Sequence, residues 1–446
     1  MIGCVVFCVV IAASAMAWGE GRDGPVSDVL TLEQAVDLAL ANNFSVKNAA
    51  LDVQKAGASV AALRTRRLPE LSFSVLESRH LTRESYTFET GVFGTFPIIG
   101  PVPPANTNIE TTPQFTTTVT SAATLPLSQQ YRIGLGIQQG QVDQDLASEQ
   151  LRSQRQQVVD QVKQTYYGIL QTRNALAANE ETLTFLRELD LQVGRHVREQ
   201  TALKYESLEV KTRLANAEYE TIKLRNHQAS LQEHLNELLG RDVQTAFRVT
   251  PVADMPPLSV DQGAAQAEAL ARRPEVRAAR LKVQRAEYDF RIKKSEYIPD
   301  VSFTVRYTSP FNTDLLPQNI ATVGIFANWE FFDWGRKRQE LAEKGSAIEQ
   351  AKNQVRETEN QVTTDINRQI RKLQEARTQV QVAELAQKAE REKLRVLLDQ
   401  YAQKAALLHN VLQTQTELAE ANNQYQQSQL ELWTTKASLE RALGEE

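Results

Sequence analysis

One phrase is written twice in this chain, and that repetition limits the fold more than any other feature. Residues 68–75 read LPELSFSV and residues 298–305 read IPDVSFTV, an offset of 230 positions. At the same offset LDVQKA (51–56) faces LKVQRA (281–286), and Asn43-Phe44-Ser45-Val46 faces Arg273-Pro274-Glu275-Val276. Further along the offset is 204, where LEVKTRLANA (208–217) faces LQTQTELAEA (412–421) and LNELLG (235–240) faces LERALG (439–444). The first half therefore carries 26 extra residues. They fall in the Gly/Pro/Thr-rich stretch TFETGVFGTFPIIGPVPPANTNIETT, which reads as a loop. A duplication this long means one architecture used twice. Each half reads as helix, strand, loop, strand, long helix, long helix. The first repeat is expected over 18–250, with strands about 71–84 and 113–127 and long helices about 132–240. A linker at 251–262 leads to a second repeat over 263–446, with strands about 299–309 and 319–332 and long helices about 336–444.

The strand segments alternate. Val301, Phe303, Val305 and Tyr307 are separated by Ser302, Thr304 and Arg306, and Leu71, Phe73 and Val75 by serines. The second strand of the first half sets Phe115, Val119, Ala123, Leu125 and Leu127 among threonines. Its counterpart alternates Val323, Ile325, Ala327, Trp329 and Phe331 with Thr322, Gly324, Asn328 and Glu330. Period-two alternation puts each apolar set on one face of a sheet. Segments of about ten residues also suffice to cross a bilayer as tilted strands. Aromatics gather at the strand ends (Tyr131, Tyr297, Trp329, Phe331, Phe332, Trp334), as in the girdle of an outer-membrane barrel. A small soluble sandwich with one wet face is the competing reading. Four strands cannot close a barrel, and open edges cannot face lipid. Two chains would give eight strands around a filled interior, and three would give twelve around a lumen.

No proline occurs from 127 to 250 or from 318 onward. In both stretches apolar residues recur on steps of three and four. One series is Val158, Val162, Ile169, Leu183, Leu186 and Val193; the other is Val362, Ile366, Leu373, Val380, Leu394 and Tyr401. Such spacing is a coiled-coil seam. A helix over 132–195 would be roughly 95 Å long at 1.5 Å per residue, and only other rods can bury it. Thr165, Thr172, Asn179, Ala376 and Ala383 interrupt the seam. Small and polar seams suit helices packed on both sides, as in a wall or tube. A plain structural coiled coil remains the alternative.

The opening MIGCVVFCVVIAASAMA carries an apolar run ending in Ala15-Met16-Ala17, read as an export signal over 1–17, with a membrane anchor as the alternative. Both cysteines, Cys4 and Cys8, lie inside it, so the mature chain is expected to carry no disulfide or thiolate metal site. The net charge of −5 argues against a basic nucleic-acid-binding surface. The five histidines show no H-E-x-x-H spacing, and Gly134, Gly136 and Gly140 lack phosphate-loop spacing and instead suit a strand-to-helix transition. No nucleophile-plus-base pattern is present, so neither an enzyme nor a cofactor is expected.

The chain resembles the TolC-like outer-membrane efflux protein family. The resemblance rests on TLEQAVDLALANN near residue 31, the LPELSFS and IPDVSFT phrases, LPL at 125–127, WEFFDWGR at 329–336 and the doubled LxxxTxLAxA. It implies a fold that is mainly α with a membrane β part: a homotrimeric twelve-stranded β-barrel in the outer membrane, continued by an α-barrel through the periplasm of a Gram-negative cell. It implies a passive exit duct for an efflux or type I secretion system, with a periplasmic adaptor and an inner-membrane transporter as partners. It also implies docking at the helix tips, here Arg198, Gln200, Thr201, Glu206, Tyr401, Lys404 and Ala405, although the usual tip glycines are missing. Asn410 and Gln413, beside His409, take the places of pore-lining acids, and Glu206 matches an acidic tip position able to pair with a tip arginine such as Arg198. The alternative function is an exported coiled-coil structural or adaptor protein that never enters a membrane.

Overall fold

The computed structural model describes residues 28–79, 81–82, 85–110, 115–200, 202–251, 261–312, 317–403 and 405–445. The expected export signal, most of the 251–262 linker, Thr201 and Lys404 lie outside the described residues. The first half opens with β1 (Asp28–Leu30), α1 (Leu32–Asn42), α2 (Phe44–Thr65) and β2 (Glu70–Arg79). Short strands β3 (Ser85–Phe88), β4 (Thr95–Phe96), β5 (Gly100–Pro101) and β6 (Thr107–Glu110) follow. The half ends with β7 (Phe115–Pro126), α3 (Gln129–Arg198), α4 (Lys204–Leu238) and β8 (Phe247–Val249). The second half runs α5 (Gln262–Arg272), α6 (Pro274–Ser295), β9 (Asp300–Phe311), β10 (Ile320–Asn328), α7 (Arg336–Ala402) and α8 (Leu408–Leu443).

The two halves make the same turns by different chemistry. Thr31 caps α1 in a reciprocal capping box with Gln34. The α1–α2 kink is set by Asn43, whose side chain accepts from the Ser45 and Val46 amides. At the matching α5–α6 kink the chain uses Pro274 at the first helical position instead, where no amide donor is needed.

The long helices form two antiparallel pairs, α3–α4 and α7–α8, joined by packing of α3 against α8. At 70 residues, α3 is about 105 Å long. Its seam is buried at Val158, Val162, Ile169, Leu186 and Val193. The polar seam residues are satisfied locally. Thr165 and Thr172 donate to carbonyls one turn back, and Asn179 donates to the Ala217 carbonyl and Thr221 hydroxyl of α4, both at 2.8 Å. Above these pairs α2, α3, α6 and α7 pack side by side, each running into one strand of the sheet. A belt at mid-height is built from α1, α5 and the parallel pair β1–β8. Tyr166, fully buried, ties it to α3, with its hydroxyl 2.9 Å from the carbonyls of both Leu30 and Thr250.

Tyr167 beside it packs on Trp433 of α8 with ring centroids 5.5 Å apart. Burial, then the Glu440 carboxylate and Tyr166, push its pKa up to about 12. Between pH 10 and 12 an unfolded tyrosine ionises while this one keeps its proton. The folded state then binds more protons, and stability falls as pH rises. Tyr167→Phe is expected to flatten the loss of thermal stability across that window. An alkaline slope identical to wild type would contradict the assignment.

Four expectations need correction. The strand expected to 332 ends at Asn328; irregular chain follows over 329–333, and the Asp333 carboxylate takes the amides of Gly335 and Lys337 to close a turn into α7. Gly134, Gly136 and Gly140 lie inside α3 rather than at a strand-to-helix transition. The Gly/Pro-rich insertion, read as loop, contains two small antiparallel ladders, β3–β6 and β4–β5. Glu206 accepts from the Leu203 amide at 2.9 Å and caps its own helix instead of pairing with Arg198.

Candidate functional site

The four long strands form one antiparallel sheet in the order β10-β9-β7-β2. The central β7–β9 pairing joins the two halves, and β2 and β10 are left as edges. Register decides which side chains share a face. Val323 lies opposite Val305, Val305 opposite Ala123, and Ala123 opposite Leu71. Ile325, Phe303 and Leu125 form the next row. On the other face Ser74 meets Thr120, Thr120 meets Thr308, and Thr322 meets Arg306. The alternation in the sequence thus becomes one apolar and one hydroxyl-rich surface.

Among the described residues no helix covers the apolar face. Leu71 is 80 % exposed, Phe73 70 %, Val323 68 % and Ile325 71 %. A contiguous greasy surface of this size on a water-soluble chain would be abnormal. The aromatics near the strand ends are exposed too: Tyr131, Tyr297, Trp329, Phe331, Phe332 and Trp334, the last at 90 %. Trp334 stacks edge-on against Phe332, and Trp329 tilts against Phe331. Just below, Ser128 donates to the Pro299 carbonyl and accepts from the Val301 amide, both at 2.7 Å, and Arg132 pairs with Asp300 at 2.8 Å. These bonds lock the two halves together where strands give way to helices.

The other end of the molecule holds the two helix turns. Leu408 and Leu412 of α8 are buried with Leu189, Val193 and Val210 of the α3–α4 pair, and Tyr401 packs against that cluster, so the turns lie together. Burial, then the Glu206 charge, raise the Tyr401 phenol above its ordinary pKa. Arg198, Gln200 and Ala405 are exposed. Gln200 holds a left-handed backbone, φ 57°, a conformation that favours glycine. His409, Asn410 and Gln413 lie on the exposed face of α8, and Gln413 donates to Glu417 one turn on. Two contacts escaped the sequence reading. Arg213 of α4 donates to Thr416 of α8, and Lys393 of α7 pairs with Glu417 of α8. The repeat carried a hint, since Arg213 and Glu417 occupy the same position of the doubled LxxxTxLAxA with opposite charge.

Among the described residues no cluster of His, Cys, Asp and Glu is placed to hold a metal ion, and no helix is long and apolar enough to cross a membrane. The family model described as outer membrane efflux protein matches residues 35–241 and 266–445, two blocks that follow the two halves. The chain belongs to this outer membrane efflux protein family. Membership places it among proteins of the outer membrane. A curated relative, the outer membrane efflux protein BepC of Brucella suis biovar 1 (strain 1330), is 23% identical over 241 residues, 52% of this chain and 51% of that protein. The chain thus spans about half the length of that curated relative. Solved structures agree over more of the fold. The CmeC outer membrane channel of Campylobacter jejuni superposes with a TM-score of 0.77 at 14% identity, over 93% of this chain and 85% of that one. VceC of Vibrio cholerae gives 0.73 at 15% identity, over 93% and 96%. The open MtrE channel of Neisseria gonorrhoeae gives 0.72 at 14%, over 93% and 89%. At these identities the outer membrane efflux protein fold is what is shared.

Proposed function

We propose that three copies of this chain close a twelve-stranded β-barrel and a continuous helical barrel, forming the exit duct of a tripartite efflux assembly. The observation that carries this reading is the sheet, apolar and uncovered on one face and unpaired at both edges. Lipid can cover the greasy face, but nothing in lipid can satisfy edge amides and carbonyls. Copies of the same sheet can, with β10 of one chain pairing β2 of the next. The hydroxyl-rich face then lines the lumen, and the alternating aromatics sit at the bilayer edges.

In this reading 18–250 and 263–446 are the two structural repeats, joined through 251–262, and Tyr131, Tyr297 and the 329–334 aromatics form the girdle. The tips meet a periplasmic adaptor and, through it, an inner-membrane transporter that supplies the energy. Gln200, Tyr401, Ala405 and the neighbouring Thr201 and Lys404 are the docking candidates. His409, Asn410 and Gln413 of three chains narrow the pore, with little preference for cations because they carry no negative charge. The Arg213–Thr416 and Lys393–Glu417 contacts hold the coiled coils in the closed position.

The test is direct. The mature protein is expected to need detergent, to migrate as a trimer, and to conduct in planar bilayers. Disulfide cross-linking of the tips through Gln200→Cys and Lys404→Cys is expected to abolish opening. A protein fully soluble and monomeric without detergent would end the reading, and conductance that survives verified cross-linking would remove the gate from this end.

A further inference from the structure

We propose that each chain carries a binding site for the phosphate of an anionic phospholipid in the periplasmic leaflet, where α2, α3 and α6 meet. The inference rests on the duct reading for its setting, because it needs this level of the molecule to lie at the membrane edge. A cavity of about 530 Å³ opens there, and Arg67 and Arg291 both line it. No carboxylate lines it; the remaining walls are Gln130, Gln138, Gly134 and Tyr131 over a floor of two buried aliphatic side chains. Several neighbouring cations are matched: Arg132 with Asp300, Arg285 with Asp143, Lys293 with Glu296 and Glu340; among the described residues Arg64, Arg66 and Lys294 have no such partner, but they do not line the cavity. Among the described residues neither Arg67 nor Arg291 has such a carboxylate partner.

The two arginines are also held in position. Gln130 donates its side-chain amide to the carbonyls of Arg67 and Pro126, both at 2.9 Å, which pins the backbone carrying Arg67 to the start of α3. The Arg67 Nη2 lies 3.1 Å from where a Cβ at Gly134 would stand, so the missing side chain leaves room for the guanidinium against the helix. Arg291 lies over the Tyr288 ring at 5.5 Å. Two like charges brought to one cavity without a counter-ion repel, and a phosphate relieves that repulsion with bidentate, charge-assisted hydrogen bonds.

The depth selects a lipid. Arg67 precedes the first residue of β2, Glu70, by one short turn, and Arg291 lies on the last turns of α6 before Tyr297. Tyr131, exposed in the girdle, forms part of the cavity wall. The cations therefore sit at headgroup level, with the apolar strand surface directly above for acyl chains.

The full-length protein in neutral detergent, titrated with dioleoylphosphatidylglycerol and followed by native mass spectrometry, tests this. Wild type is expected to retain the lipid, and Arg67→Gln with Arg291→Gln to bind it on the order of tenfold or more weakly. The control pair Arg64→Gln with Arg66→Gln removes the same charge outside the cavity and should change little. Equal binding by wild type and the cavity variant overturns the proposal, as does an equal loss in the control, which would mean diffuse attraction. Lipid retained in excess inorganic phosphate supports the assignment, and displacement by it would assign the site to free phosphate instead. Trimer mass and bilayer conductance are read on the same samples. A conducting trimer without arginine-dependent lipid binding defeats this inference alone, whereas the absence of any trimer defeats the duct.

Discussion

Val323→Arg is expected to keep the protein out of the outer membrane, while Thr304→Arg leaves it in place. Val323 stands mid-strand on edge strand β10, 68 % exposed, in a row with Val305, Ala123 and Leu71. If this is the lipid face of the proposed duct, a guanidinium near the midplane costs roughly 2–4 kcal/mol per chain, and the proposed trimer meets that cost three times. Thr304 sits on the opposite face, across from Gly324, where an arginine has room. Arg306 already occupies that face two residues on. Both variants add the same charge to the same sheet, so the comparison isolates the face. Membrane fractionation and the yield of detergent-resistant trimer are the readouts. Wild-type amounts of Val323→Arg in outer membranes would invert the face assignment and with it the duct.

The second large effect is expected at Gly240. It follows α4 with a φ of 63°, and a Cβ there would stand 2.5 Å from the carbonyl oxygen of Asn42. The junction is otherwise closed by Asn43, whose side-chain amide donates to the Leu238 carbonyl at 2.9 Å. Gly240→Ala therefore meets two penalties. The left-handed backbone costs about 1–3 kcal/mol for a residue with a Cβ, and the backbone clash adds to it by prising α4 from the α1–α2 kink. The repeat supplies an internal control. Gly444 ends α8 with a φ of 85° and abuts the equivalent α5–α6 kink, but its Cβ would meet Arg272 and Arg273 at 3.1–3.3 Å, tight rather than impossible. The temperature of thermal unfolding should fall further for Gly240→Ala than for Gly444→Ala. The reverse order would show that the approach of the kink does not govern these glycines.

The region of the two helix turns, proposed above as tip and gate, was only partly legible. The family resemblance located the turns, and the structure brings both turns onto one apolar cluster with Tyr401 against it. The Glu206–Arg198 pair does not form because a carboxylate three residues into a helix has a nearer partner in the free amide at its start. Arg67 and Arg291 drew no notice in the sequence, since they are 224 positions apart and sit in segments rich in other cations. Only the packing of α2, α3 and α6 shows that these two line one cavity together.

By itself the sequence determined the repeat, the rod-forming helices and the two-faced strands, because periods of two and of three to four residues are written by neighbours along the chain. The order β10-β9-β7-β2, the choice of which strand joins the halves, the turn at 334–335 and the need for glycine at 240 were decided only in the folded molecule. Each depends on how closely segments far apart in sequence approach one another, and local alternation carries no record of that distance.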